Sequence, residues 1–368
     1  MDVPFIDLHG QLDDCREVLE KEILSVVRSC RYILGDRGRT LEETIARECR
    51  TKHAIGVASG TDALIFALSA LGLQRGRKVV VPAFTFCASV SAIVRAGGEP
   101  LFVDIDDRTF NLNIEQALNA DGDIAGYLPV HLYGLPAEIS TLVEFAHKKG
   151  RFVLEDCAQA YGATLDRKPV GSIGDAGILS FYPTKNLSAI GDAGMILTND
   201  DGIDKLCRLL RNHGEEIRYH HSVLGRNSRL DEIQAAALLA KLPHVAKWNE
   251  RRREIALMYN QGLNDIDGLT LPCEPRRCRH VYNLYVIRTS RRDELNDFLR
   301  KRGIGTGIYY PVGMHKQPIF SQYVPAGLEF PITEKVCETV LALPMFPHLA
   351  DAQVEYVIKS IHEYFRSP

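Results

Sequence analysis

The chain has 368 residues, 45% hydrophobic and 25% charged; this is the balance of a globular protein and excludes a mainly disordered chain, a collagen or a coiled-coil rod. Forty-four basic residues face 47 acidic ones, a net charge of −3, which excludes the basic footprint expected of a nucleic-acid-binding domain. The longest uncharged apolar stretch, residues 79–94, is interrupted by Pro82, Thr85, Ser89 and Ser91 and falls short of the ~20 apolar residues of a membrane span.

The N-terminus, Met1-Asp2-Val3-Pro4-Phe5-Ile6-Asp7, has no basic start followed by an apolar run, so no secretory signal is expected. From about residue 50 to 200, short apolar runs alternate with helical patterns. Residues 54–58, 78–82, 100–104, 124–130 and 152–155 read as buried strands; residues 61–71, 88–96 and 139–149 read as helices. Strands spaced by helices imply βαβ units, hence an α/β fold with a mostly parallel sheet covered on both faces. Ligands of such sheets bind beyond the carboxyl ends of the strands. Residues 230–242 form an alanine-rich helical pattern that Pro243 breaks, and a charged helix follows through Trp248. Its triplet Arg251-Arg252-Arg253 reads as a solvated helix face. Beyond about residue 268 the texture is α+β: a strand over 281–287, a helix over 291–302, a strand-like run over 306–310 and a last amphipathic helix over 353–365. Two domains are expected, a large one over 1–243 and a small C-terminal one over 244–368. The glycines of Gly303-Ile304-Gly305-Thr306-Gly307 follow a helix instead of a strand. They suit a helix end, not a dinucleotide loop. Nine scattered cysteines with no CxxC pair indicate reduced thiols in a cytoplasmic protein.

Three segments could carry chemistry. Ser59-Gly60-Thr61-Asp62-Ala63-Leu64 lies at a strand-to-helix junction. It can be an anion site at a helix N-terminus or an ordinary cap. Asp156 follows an apolar strand in Glu155-Asp156-Cys157-Ala158-Gln159-Ala160. A carboxylate at a sheet edge needs a partner, which a protonated pyridinium would supply; an N-cap role is the alternative. In Ser180-Phe181-Tyr182-Pro183-Thr184-Lys185-Asn186 a strand runs into a turn bearing one lysine, and Gly191-Asp192-Ala193-Gly194 follows. Lysine becomes a Schiff-base nucleophile when desolvated, although a lone lysine is more often a solvated surface residue.

SGTDAL, EDCAQA, SFYPTKN and GRNSRLDEIQAA (residues 225–236), with VPAFTF and PVHLYG between them, occur in the order found in the DegT-type nucleotide-sugar aminotransferases. The resemblance runs from about residue 4 to 364 and implies a fold-type I enzyme dependent on pyridoxal 5′-phosphate (PLP). It departs from that pattern at Gly35-Asp36-Arg37-Gly38 and Leu41, which bears on N-terminal packing or the substrate entrance. By resemblance, Lys185 bonds covalently to the cofactor and Asp156 pairs with its ring nitrogen. Phe86 stacks on the ring, Gln159 bonds near its phenolic oxygen, and Gly60, Thr61 and Ser180 hold the phosphate. Asn227 reaches the phosphate from the second subunit of a homodimer. Arg229 would meet glutamate's carboxylate or a sugar-nucleotide phosphate, and Tyr310 and His315 would lie near the sugar. A surface-loop role for His315 is equally open. The implied reaction moves an amino group from L-glutamate to a UDP- or dTDP-linked keto-hexose. Tyr-Pro-Thr-Lys-Asn followed by Gly-Asp-Ala-Gly is more similar to the members acting on 3-keto sugars than to those acting on 4-keto sugars. A 4-keto nucleotide-sugar aminotransferase and a non-catalytic PLP-binding regulator of the same family are the alternative readings. No metal is expected. Lys185 argues against the family's dehydratases, which carry histidine there.

Overall fold

The computed structural model describes residues 1–366. Its central sheet has seven strands: β1 (His53–Val57), β2 (Lys78–Pro82), β3 (Glu99–Val103), β4 (Ile124–Tyr127), β5 (Phe152–Asp156), β6 (Ala176–Ser180) and β7 (Gly194–Thr198). Their order is β1-β7-β6-β5-β4-β2-β3. Only β7 runs against its neighbours, β1 and β6; the other pairs are parallel. The α/β architecture agrees with the sequence pattern. Strand β7 is absent from that pattern, because a single short apolar run carries no signal of its direction.

The antiparallel insertion has a consequence for the site. The start of β7 lies at the edge where the parallel strands end: Gly194 is opposite both Val57 and Ser180. A Cβ on Gly194 would come within 2.3 Å of the Ser59 carbonyl carbon, so only glycine lets the three chain segments converge.

Seven longer helices belong to this region: α1 (Arg16–Ser29), α2 (Asp36–Cys49), α3 (Gly60–Ala70), α4 (Cys87–Arg95), α5 (Ser140–Lys148), α6 (Asp201–Leu210) and α7 (Glu232–Lys241). Strand pleating splits the sheet between two cores. Strand β6 sends Ala176 and Ile178 into the core beneath α3 and α4, and Leu179 into the core beneath α2 and α7. Leu41 is fully buried in the second core. The buried Glu232 carboxylate accepts from the N–H groups of Gly35, Arg37 and Gly38, each at 2.9 Å. Its charge thus closes the N-terminus of α2.

A short 3₁₀ turn, Leu242–His244, follows α7. Beyond it lie α8 (Val245–Leu263), β8 (Tyr285–Arg288), α9 (Arg292–Lys301), α10 (Pro331–Thr339), β9 (Val340–Leu343) and α11 (Asp351–Arg366). Strands β8 and β9 pair antiparallel over a core that includes Ile255, Tyr259, Leu295, Leu299 and Ile361. Val3 is buried in this same core and bridges Ile304. Residues 306–310 do not form the expected strand; only Gly307 bridges Ala342. The arginine triplet is likewise not a solvated face. Arg251 and Arg253 are half-buried and paired with Asp351 and Glu274, while Arg252 is buried against the carbonyls of Tyr282, Asn283 and Met345. One face of α8 packs under the chain leading into β8, and only tertiary contact brings those carbonyls together.

Candidate active site

The carboxyl edge of the sheet opens into a cavity of about 500 Å³. Gly60, Thr61, Phe86, Asp156, Gln159, Ser180, Lys185 and Tyr310 all line it, so eight residues singled out from widely separated motifs meet at one place.

Asp156 ends β5 and is buried. Ser89, in the first turns of α4, donates its hydroxyl to Oδ2 at 2.7 Å, and the Ala158 N–H donates to Oδ1 at 3.1 Å. Burial raises the Asp156 pKa, opposed by these two donors and by Lys185. Beyond β6, Phe181 is fully buried and Lys185 donates its backbone N–H to the Tyr182 carbonyl at 2.9 Å. That tight turn presents the lysine side chain to the cavity. Desolvation lowers its pKa to about 8, with Asp156 opposing the shift.

Ser59 caps α3, its Oγ accepting from the Asp62 N–H at 3.1 Å. The capping and anion-site readings are therefore compatible: Ser59 closes one N–H, while Gly60 and Thr61 of the same first turn line the cavity. A Cβ on Gly60 would lie 2.8 Å from that of Ser180, so the two residues touch across the floor. Phe86 is 56% exposed, its ring 5.9 Å from that of Tyr310. Gln159 accepts from the Tyr133 N–H at 2.6 Å and donates to the Tyr310 hydroxyl at 3.3 Å. Both ends of its amide are occupied.

Three expected site residues are not on the cavity wall. Asn227 is exposed. Arg229 donates to Asn212 at 2.9 Å, and its Nε is buried without a partner. His315 is buried, 3.2 Å from Glu334 and edge-on to Phe330. Conversely, Ser89, Tyr309, Asp192 and Asn283 reach the cavity without having been singled out. Ser89 had a readable signal, its place in the helix after a strand end; Asn283 had none.

Among the described residues, one cluster has metal-ligand chemistry, His131, Glu155 and Cys157. Its donor atoms are already engaged. Glu155 accepts from His131 and from the N–H groups of Gly171, Ile173 and Gly174, and the second His131 nitrogen accepts from Ala137.

Residues 13–362 match the DegT/DnrJ/EryC1/StrS aminotransferase family. The chain belongs to that family. A UDP-N-acetyl-3-dehydro-alpha-D-glucosamine 3-aminotransferase of Acidithiobacillus ferrooxidans is 42% identical over 96% of this chain and 95% of its own. A pleiotropic regulatory protein of Geobacillus stearothermophilus is 44% identical over 100% of this chain and 99% of its own. Among solved structures, S. venezuelae DesV in complex with ketimine intermediate matches at a TM-score of 0.97, with 38% identity over 100% of this chain and 99% of that one.

Aminotransferases of this family use PLP, and the cavity suits that group. A desolvated amine and a buried carboxylate both line it, together with Gly60 and Thr61 at a helix N-terminus and Ser180. No helix among the described residues is long and apolar enough to cross a membrane.

Proposed function

We propose that this chain is a cytoplasmic, homodimeric transaminase that moves the amino group of L-glutamate to the C3 keto carbon of a UDP- or dTDP-linked hexose. The observation that carries the reading is the Lys185 amine beside Asp156 in the cavity of a chain 42% identical to a nucleotide-sugar 3-aminotransferase. The PLP-binding unit spans 1–243 and the C-terminal unit 244–368, with Val3 crossing to the core of the C-terminal unit.

When bound, PLP supplies an electron-accepting ring and the carbonyl that takes up and passes on the amino group. The protein's part is positioning and proton movement. Lys185, with its pKa near 8, has a neutral fraction at cytoplasmic pH and serves as the base that removes the proton from Cα of the amino donor and, in the second half-reaction, delivers one to the sugar carbon that receives the amine. Asp156, oriented by Ser89 and Ala158, holds a proton on the ring nitrogen and keeps the ring cationic. Thr61, Ser180 and the Gly60 backbone hold the phosphate, and Phe86 covers the ring. Gln159 fixes the Tyr310 hydroxyl at the wall where substrate enters.

Asn227 and Arg229 serve the partner's site in the dimer. Asn227 is exposed and Arg229 half-buried, and a guanidinium held by one nitrogen on Asn212 has further N–H groups for a carboxylate or phosphate. The exposed apolar side chains Leu24, Val27, Ile33 and Leu34 on and after α1 supply surface for the second copy.

The relative named as a regulatory protein favours a second reading, a PLP-binding regulator. Glutamate added to the PLP-loaded protein separates the two: the visible cofactor band should bleach, whereas an unchanged band favours the regulator. A panel of UDP- and dTDP-linked 3-keto and 4-keto sugars, read by mass spectrometry for the amino product, then tests the substrate. Lys185→Ala should abolish product formation; a fully active variant removes Lys185 from the mechanism.

A further inference from the structure

Three buried asparagines from three parts of the chain meet behind Lys185. Asn186, Asn249 and Asn283 are 2%, 5% and 6% exposed. Asn186 directly follows the lysine, Asn249 lies in α8, and Asn283 precedes β8 and lines the cavity. The Asn283 amide donates to the Thr184 carbonyl at 3.4 Å and to Asn186 Oδ1 at 2.8 Å. It therefore grips the residue before the lysine and the residue after it. Asn186 donates to Asn249 Oδ1 at 2.6 Å and to the Val281 carbonyl at 3.1 Å. Asn249 donates onward to the Tyr161 carbonyl at 3.0 Å.

The direction of this chain is fixed chemically. The carbonyls of Val281, Tyr161 and Thr184 only accept, so each amide must present its NH₂ to them, and Asn186 and Asn249 turn their oxygens to the preceding amide. Aspartate or leucine would leave buried acceptors facing one another or unpaired, and a half-satisfied buried network is costly. Room for the last link depends on Gly162, at φ +85°, where a Cβ would lie 2.7 Å from Asn249 Nδ2. On the far side, Arg252, three residues on from Asn249 in α8, lies 3.5 Å from the Asn283 carbonyl. Val281 and Leu284 also donate to the Gly134 and Tyr133 carbonyls.

We propose that Asn186, Asn283 and Asn249 are positioning residues for Lys185, a buried amide relay that fixes the lysine turn against the chain entering the C-terminal unit. The proposal rests on the reading of Lys185 as the cofactor lysine. A turn held from both sides keeps the amine aimed at one point in the cavity, and movement there couples to the placement of α8 and β8.

The test uses PLP-loaded protein and the variants Asn283→Ser, Asn186→Ser and their double. Each single variant should lower kcat about 10- to 100-fold while KM for glutamate changes little, the signature of misplacement without lost binding. The pH midpoint of the visible cofactor band should move by about one unit, because a loosened turn admits water to the amine. The double variant should be little worse than the worse single one, as expected of residues acting as a unit. Asn249→Ser, one link further away, should show the same changes in smaller measure. If either single variant is folded and keeps the wild-type midpoint and kcat, the amides are only structural and the proposal fails. If Asn186→Ser does not fold, Asn283→Ser decides alone, since its truncation opens onto the existing cavity. Failure of the underlying reading looks different: the wild-type protein itself would then show no pH-dependent cofactor band.

Discussion

Glu155 and Asp156 are consecutive on β5, both buried, and face opposite sides of the sheet. Around Glu155 the chain is closed. Three backbone N–H groups and His131 converge on its carboxylate at 2.7–3.0 Å. Around Asp156 there are two protein donors, one hydroxyl and one N–H, and the open cavity beyond. The same functional group is thus a finished joint on one face and a partly satisfied anion on the other. Buried carboxylates need close to a full set of donors. An incomplete set facing a cavity marks the place where a cationic group belongs, and Lys185 lines the same cavity.

Exchanging the two acids for amides should break this contrast most sharply. Asp156→Asn should lower transamination on the order of 10²–10³-fold with PLP still bound, measured by steady-state rate and cofactor absorbance. Unimpaired turnover would remove the ring-nitrogen role. Glu155→Gln should do the opposite. Its NH₂ would face the backbone N–H groups that now donate to the carboxylate, costing about 2–4 kcal/mol of stability, read by denaturant unfolding, while the surviving folded enzyme keeps near-normal kcat. A large loss of kcat at unchanged stability would show that the two faces are not separate.

Ser89→Ala sharpens the comparison from the Asp156 side. Loss of one charge-assisted hydrogen bond should cost about tenfold in rate and raise the Asp156 pKa further in the cofactor-free protein; no change in either would make Ser89 a bystander. The mildest effect concerns Lys185 before PLP is bound. Its folded pKa of about 8 lies below the free-lysine value of 10.5. The unfolded chain then binds more protons than the folded one between those values, so stability rises as pH rises through that window. Below pH 8 the buried charge destabilises the cofactor-free fold by about 1–2 kcal/mol, after discounting for water in the open cavity. Cofactor-free Lys185→Met should therefore melt above wild type at pH 7, with the gap closing toward pH 10. A gap constant across that range would contradict the desolvation account.

Much of this was readable in the sequence, for a physical reason. Strand ends, helix caps and the lysine turn are local, so apolar runs ending at Asp156 and at Ser180, and the Ser59 junction, announced the carboxyl edge of the sheet. What escaped depends on contacts between distant segments. The direction of β7 is set by its neighbours β1 and β6. Arg252 reads as surface charge until the carbonyls of residues 282, 283 and 345 surround it. His315 is buried because α10 brings Glu334 to it. Asn186, Asn249 and Asn283 have no shared spacing, and only the fold aligns their amides.

The most direct measurement is borohydride reduction of the PLP-loaded protein followed by peptide mapping. The account requires the pyridoxyl adduct on the peptide carrying Lys185 and on no other, and its disappearance in Lys185→Ala. Stable labelling of a different lysine, or an unmodified Lys185 in protein that has taken up PLP, would contradict it.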